Sequence, residues 1–84
     1  MARRILTLNQ ISVKGLERLP REDYEIASEF THPDAILLRS HKLLAADIAD
    51  SVLAIARAGA GVNNIPVAEC TRRGIPVFNS PGAN

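Results

Sequence analysis

Short apolar runs, separated by polar segments that carry glycine and proline, recur along the whole chain. The runs that predict β-strands are Ile5–Leu8, Tyr24–Ala27, Ala35–Arg39, Val52–Ala58 and Ile75–Asn79. The fourth run is almost continuously apolar, which is typical of a parallel strand covered on both faces. The second run is short, and we expect it at an edge of the sheet.

Segments between these runs predict helices, and their ends carry capping residues. The predicted helices are Ser12–Leu19, Leu43–Asp50 and a segment from Pro66 to about Arg73. Ser12 can cap the first helix, with Ile11 and Leu16 spaced as a hydrophobic staple. Asn63 or Asn64 can cap the third helix, and Gly74 can end it in a left-handed conformation.

The alternation of strands and helices predicts βαβ units with right-handed crossovers. We therefore expect an α/β fold: a flavodoxin-like parallel sheet, strand order 2-1-3-4-5, with helices on both faces. The carboxyl ends of the third, fourth and fifth strands then lie side by side. The 84 residues allow one small domain of marginal stability.

Two arginines and a glycine-containing loop follow neighbouring strands of this predicted sheet. Arg39 and Arg57 end the third and fourth runs, and Gly59 and Gly61 come directly after. Ligands of open α/β sheets bind outside the carboxyl ends of the strands. Guanidinium groups match carboxylate and phosphate oxygens, and glycine allows positive φ and close backbone approach. Each arginine alone could simply reach into solvent, but their joint placement favours a site for a small anion.

Other features exclude several classes of function. The formal net charge is +1, which gives no reason to expect nucleic acid or an anionic membrane as a partner. A lone cysteine, Cys70, fits a buried apolar role in a reducing cytoplasm. His32 and His41 lack a carboxylate spaced to orient them, and no residue cluster has metal-ligand spacing. The glycines do not complete a dinucleotide fingerprint, because Asn64 stands at the third glycine position.

Three segments resemble the N-terminal part of the D-isomer-specific 2-hydroxyacid dehydrogenases, and most closely the members that oxidise phosphoglycerate. The segments are LLRS at 37–40, RAGAGVNNI at 57–65 and RGIPVFNSPGAN at 73–84. The resemblance implies a flavodoxin-like substrate-binding domain paired with an NAD-binding Rossmann domain. It also implies hydride transfer between NAD and C2 of a 2-hydroxy acid, which in the phosphoglycerate members opens serine biosynthesis.

The resemblance also implies roles for individual residues. The positions that match the substrate's phosphate or carboxylate contacts are Arg39, Ser40 and Arg57. The loop whose amides hold the substrate carboxylate matches Ala58, Gly59 and Gly61. Ala60 matches a position that is often a threonine contacting NAD; alanine keeps the backbone there and lacks the hydroxyl. Asn63 replaces a more usual aspartate.

On this resemblance, residues 1–84 are the N-terminal part of a substrate-binding domain, and the NAD-binding domain is absent from the chain. The family's catalytic Arg, Glu and His also fall beyond Asn84, so we expect the chain alone to bind no cofactor and to be inactive. We expect a cytoplasmic, homo-oligomeric parent enzyme and a fragment that can self-associate. The alternative is a free-standing, non-catalytic α/β module that binds a small anion or a protein partner.

Overall fold

The computed structural model describes residues 3–8, 22–59 and 61–79. These residues form an all-parallel, five-stranded sheet in the order β2-β1-β3-β4-β5. Its strands are β1 (Arg3–Leu8), β2 (Tyr24–Ala27), β3 (Ala35–Leu38), β4 (Ala54–Arg57) and β5 (Val77–Asn79). The predicted α/β class, the flavodoxin-like strand order and the edge position of β2 are confirmed.

Two helical elements lie in the described part of the chain. They are a 3₁₀ helix (Ala45–Asp47) and the α-helix α1 (Val67–Arg72). The predicted helix Ser12–Leu19 lies outside the described residues. In the described part of the chain, the helical segments that connect the strands are therefore these two short elements.

The predicted helix over Leu43–Asp50 is wrong, because only one turn of 3₁₀ helix forms there. The Asp47 carboxylate accepts a hydrogen bond from the Leu44 backbone N–H at 3.0 Å, which closes a local turn. Ile48 then returns to extended backbone, with φ −92° and ψ 105°. Leu43 and Ile48 are both buried, so the segment is shaped by packing at its two ends.

The asparagine cap predicted for the third helix is also wrong. The N-cap residue is Pro66, and no side chain caps the helix. Gly74 confirms the predicted left-handed stop, with φ +73°. The asparagine at position 64 instead binds a neighbouring loop, as described below.

Strands β3, β4 and β5 are shorter than the apolar runs that predict them. Val52 donates its N–H to the Ala49 carbonyl at 3.1 Å, so it belongs to the turn before β4. Ile75 donates its N–H to the Cys70 carbonyl at 2.8 Å, so it belongs to the turn that follows α1. Both residues are buried, which explains why apolar pattern alone extends the strands over them.

The core lies on one face of the sheet. Alternate residues of β3 and β4 point to this face and pack with residues from the connecting segments. The buried cluster consists of Ile36, Leu38, Leu43, Ile48, Val52, Ile55, Ile65, Cys70 and Ile75. This packing holds β3 and β4 in register, so that both strands end at the same edge of the sheet. The candidate site lies at this edge.

Candidate functional site

The carboxyl ends of three neighbouring strands meet at one edge of the sheet. Leu38, Arg57 and Asn79 pair at the same level on β3, β4 and β5. The Ala58 N–H donates to the Leu38 carbonyl at 2.8 Å, which continues the β3–β4 pairing one step beyond β4. The third, fourth and fifth strands thus end side by side, as predicted, and Arg39, the glycine loop and Asn79 lie at one edge of the sheet. Ser80 lies outside the described residues.

The Arg57 side chain joins the loops that follow β3 and β4. Its Nε donates to the Arg39 carbonyl oxygen at 2.7 Å, and its Nη1 donates to the Gly61 carbonyl oxygen at 3.1 Å. The residue is half-buried. A planar guanidinium can serve two acceptors at fixed angles, so Arg57 holds the two loops in one relative orientation.

The Asn64 side chain makes a second connection between the same loops. Its Nδ2 donates to the Arg39 carbonyl at 3.1 Å and to the His41 carbonyl at 2.8 Å. The Asn64 backbone carbonyl accepts a hydrogen bond from the Leu43 N–H at 2.8 Å. Sequence reasoning missed this role, since a turn asparagine before Ile-Pro has the same local pattern as a helix cap.

The glycine loop after β4 has the backbone conformations predicted for it. Gly59 has φ +148° and Gly61 has φ +79°, both in the range that favours glycine. A Cβ added at Gly59 would lie 3.3 Å from Arg57 Nη1, whereas one at Gly61 would meet nothing within 4 Å. Gly59 therefore leaves the space in which the Arg57 guanidinium lies.

The predicted binding residues differ in how they are presented. Arg39 and Ser40 are exposed beyond β3, and Ala58 is half-buried at the start of the next loop. The Arg39 side chain makes no hydrogen bond or ion pair with a residue in the described ranges. Arg39 thus offers a guanidinium to solvent at this edge, while Arg57 is engaged with main-chain carbonyls. Ala60, the predicted NAD contact, lies outside the described residues.

An open groove of about 880 Å³ lies on the β1 side of the same edge. Its apolar lining includes Leu6, Leu8 and Phe30, and its polar lining includes His41 and Lys42. His41, whose carbonyl accepts a hydrogen bond from Asn64, belongs to the lining of this groove. Sequence analysis did not find the groove, because its lining comes from three separate segments.

Other candidate groups have structural explanations. His32 is exposed in the turn that opens β3, at the opposite end of the sheet from the glycine loop. Cys70 is fully buried, and burial raises the pKa of its thiol, with a partial offset from the nearby Arg73 charge. A buried thiol with a raised pKa is a poor nucleophile, so Cys70 acts as part of the core.

The described residues contain neither a metal-binding cluster nor a membrane-spanning helix. No group of three or more His, Cys, Asp or Glu side chains there could hold a metal ion. No helix in the described ranges has the length and apolar character needed to cross a bilayer.

Comparison with known proteins identifies the class of this chain. Residues 2–84 match the model of the catalytic domain of the D-isomer specific 2-hydroxyacid dehydrogenases. The match covers nearly the whole chain, and the chain belongs to this family.

Several relatives carry more specific names. The chain is 32% identical to human D-3-phosphoglycerate dehydrogenase over 85 residues, covering 98% of this chain and 16% of that enzyme. It is 37% identical to the Archaeoglobus fulgidus enzyme of the same name over 79 residues, covering 90% of this chain and 15% of the relative. It is 34% identical to hydroxypyruvate reductase of Thermotoga maritima over 77 residues, covering 76% of this chain and 25% of the relative. The chain thus spans a quarter or less of the length of these relatives.

Proposed function

We propose that this chain is the N-terminal substrate-binding part of an NAD-dependent D-3-phosphoglycerate dehydrogenase that serves serine biosynthesis. The observation that carries the proposal is the edge where β3, β4 and β5 end. There Arg39 is exposed beside a glycine loop that Arg57 connects to it. The names of relatives that align with 90% or more of the chain support the choice of substrate.

The role of the edge in this proposal is to hold the anionic groups of the substrate. Arg39 and Ser40 bind the phosphate or carboxylate, and the backbone of Ala58, Gly59 and Gly61 approaches the carboxylate. The Arg57 charge lies at the same edge and adds to the attraction for an anion. NAD would supply hydride acceptance in the parent enzyme, where Ala60 would contact it.

The chain by itself is inactive and binds no cofactor in this proposal. The parent is a cytoplasmic homo-oligomer whose partner is a small anionic substrate and neither nucleic acid nor a membrane. Reading the gene past codon 84 tests this part: a G-x-G-x-x-G segment supports the dehydrogenase. A stop codon at that point would instead favour the free-standing anion-binding module.

The substrate role of Arg39 is tested in the complete gene product by measuring NADH formation from D-3-phosphoglycerate. A charge-assisted hydrogen bond contributes about 1.5–3 kcal/mol, so Arg39→Ala should raise KM by roughly 10- to 150-fold. Arg3→Ala is the matched control, because Arg3 is also exposed but lies at the opposite end of the sheet.

Repeating the assay with D-glycerate, which lacks the phosphate, identifies the group that Arg39 binds. A larger loss with D-3-phosphoglycerate assigns Arg39 to the phosphate, and equal losses assign it to the carboxylate. Equal KM values for the wild type, Arg39→Ala and Arg3→Ala would contradict a substrate role for this edge.

A further inference from the structure

The loop after β3 carries Arg39, yet its backbone is held by side chains from the segment after β4. The Arg39 carbonyl oxygen accepts hydrogen bonds from both Arg57 Nε and Asn64 Nδ2, at 2.7 and 3.1 Å. A carbonyl oxygen has two lone pairs, and these two donors can occupy both. The peptide that follows Arg39 is therefore fixed in orientation.

Asn64 differs from Arg57 because it holds the loop at more than one point. Its Nδ2 donates to the carbonyls of Arg39 and His41, and its backbone carbonyl accepts the Leu43 N–H. The segment 39–43 is thus held at three points by one residue. Leu43 is 2% exposed, so the far end of the loop is also anchored in the core.

We propose that Asn64 is a positioning residue that orients Arg39 toward the substrate's anionic group. Asn64 itself does not touch the substrate. It restricts the 39–41 backbone, so that Arg39 loses less conformational freedom when it binds the anion. This inference rests on the proposed function, because it assumes that Arg39 binds substrate.

The chain offers a closely matched control next to Asn64. Asn63 is exposed, and its side chain makes no hydrogen bond with a residue in the described ranges. Substitution by alanine removes the same atoms at either position, 63 or 64. Substitution by aspartate adds the same charge at either position. Only the changes at 64 remove the donor that holds the loop.

The test is a double-mutant cycle in the complete gene product, with KM for D-3-phosphoglycerate and its dissociation constant as readouts. We expect Asn64→Ala and Asn64→Asp to raise both constants about tenfold, and the Asn63 variants to leave them within twofold. In the Arg39→Ala background, Asn64→Ala should have no further effect, because the group that it positions is gone. The unfolding midpoint of each variant identifies any general loss of structure.

The outcomes separate the two proposals. Wild-type turnover with equal constants for the Asn64 and Asn63 variants would overturn the positioning role alone. Effects of Asn64→Ala and Arg39→Ala that simply multiply would also overturn it, since a general structural role gives that result. Binding with the expected coupling but no turnover would overturn the dehydrogenase proposal and keep the positioning role. Absence of both turnover and binding would overturn both proposals.

Discussion

Arginine at the end of a strand can extend into solvent or bind main-chain carbonyls, and this chain shows both arrangements. Arg39 is exposed at the edge of the sheet, whereas Arg57 is half-buried and donates to the carbonyls of Arg39 and Gly61. Main-chain carbonyls are neutral acceptors, so these bonds orient the Arg57 guanidinium without cancelling its charge. A sequence pattern cannot distinguish the two arrangements, because both place arginine directly after an apolar run.

Gly59 is the position at which a small substitution should disturb this arrangement most. Gly59→Ala places a Cβ 3.3 Å from Arg57 Nη1 and imposes a side chain on a backbone with φ +148°. Strain and weakened Arg57 hydrogen bonds should together lower the free energy of unfolding by about 2–4 kcal/mol. Denaturant unfolding of the chain measures this change.

Gly61→Ala is the control for backbone strain alone. Its φ is +79°, and a Cβ there would meet nothing within 4 Å. It should cost about 1–2 kcal/mol, the usual penalty for a left-handed residue with a Cβ. Equal losses for the two variants would mean that contact with Arg57 does not matter.

At the scale of elements, the order of strands could be predicted from sequence, and their ends could not. The apolar runs and the short connections between them are sufficient to predict the order of the parallel strands, and strands β1 to β5 confirm it. Residues such as Val52 and Ile75 are buried in turns, where hydrogen bonds to Ala49 and Cys70 replace the sheet ladder. Hydrophobicity reports burial, whereas strand ends depend on which carbonyl each N–H reaches.

The position of a strand in the sheet should decide how much its apolar side chains stabilise the fold. Ile36 is 1% exposed on the interior strand β3, and Ile26 is half-buried on the edge strand β2. Ile36→Ala should lower the free energy of unfolding by about 2–5 kcal/mol, since it leaves a cavity in the core. Ile26→Ala removes the same atoms and should cost clearly less in the same denaturation experiment. A larger loss at Ile26 would contradict the burial order across the sheet.

At the scale of the molecule, the edge that forms the candidate site could be predicted, but the contacts within it could not. Parallel strands bring Arg39 and the loop after Arg57 to one edge whatever their side chains do. The connection through Asn64 depends on how loops 39–43 and 58–64 pack. In the sequence, Asn64 lies 23 residues from His41 and 25 residues from Arg39. Local pattern carries no information on such pairs, and it therefore assigns Asn64 to the nearest helix.

The face of the sheet opposite the core should make the isolated chain self-associate. Leu37, Ala56 and Phe78 form a row across β3, β4 and β5 on this face, and Phe78 is 59% exposed. Burying a phenylalanine between two copies contributes about 1.5–3 kcal/mol, so Phe78→Ser should weaken association roughly tenfold or more in sedimentation experiments. Leu44→Ser is the control, because Leu44 is 54% exposed but lies in the groove lining away from this row. If the two variants associate equally, or if the wild-type chain stays monomeric at high concentration, this face is not the contact.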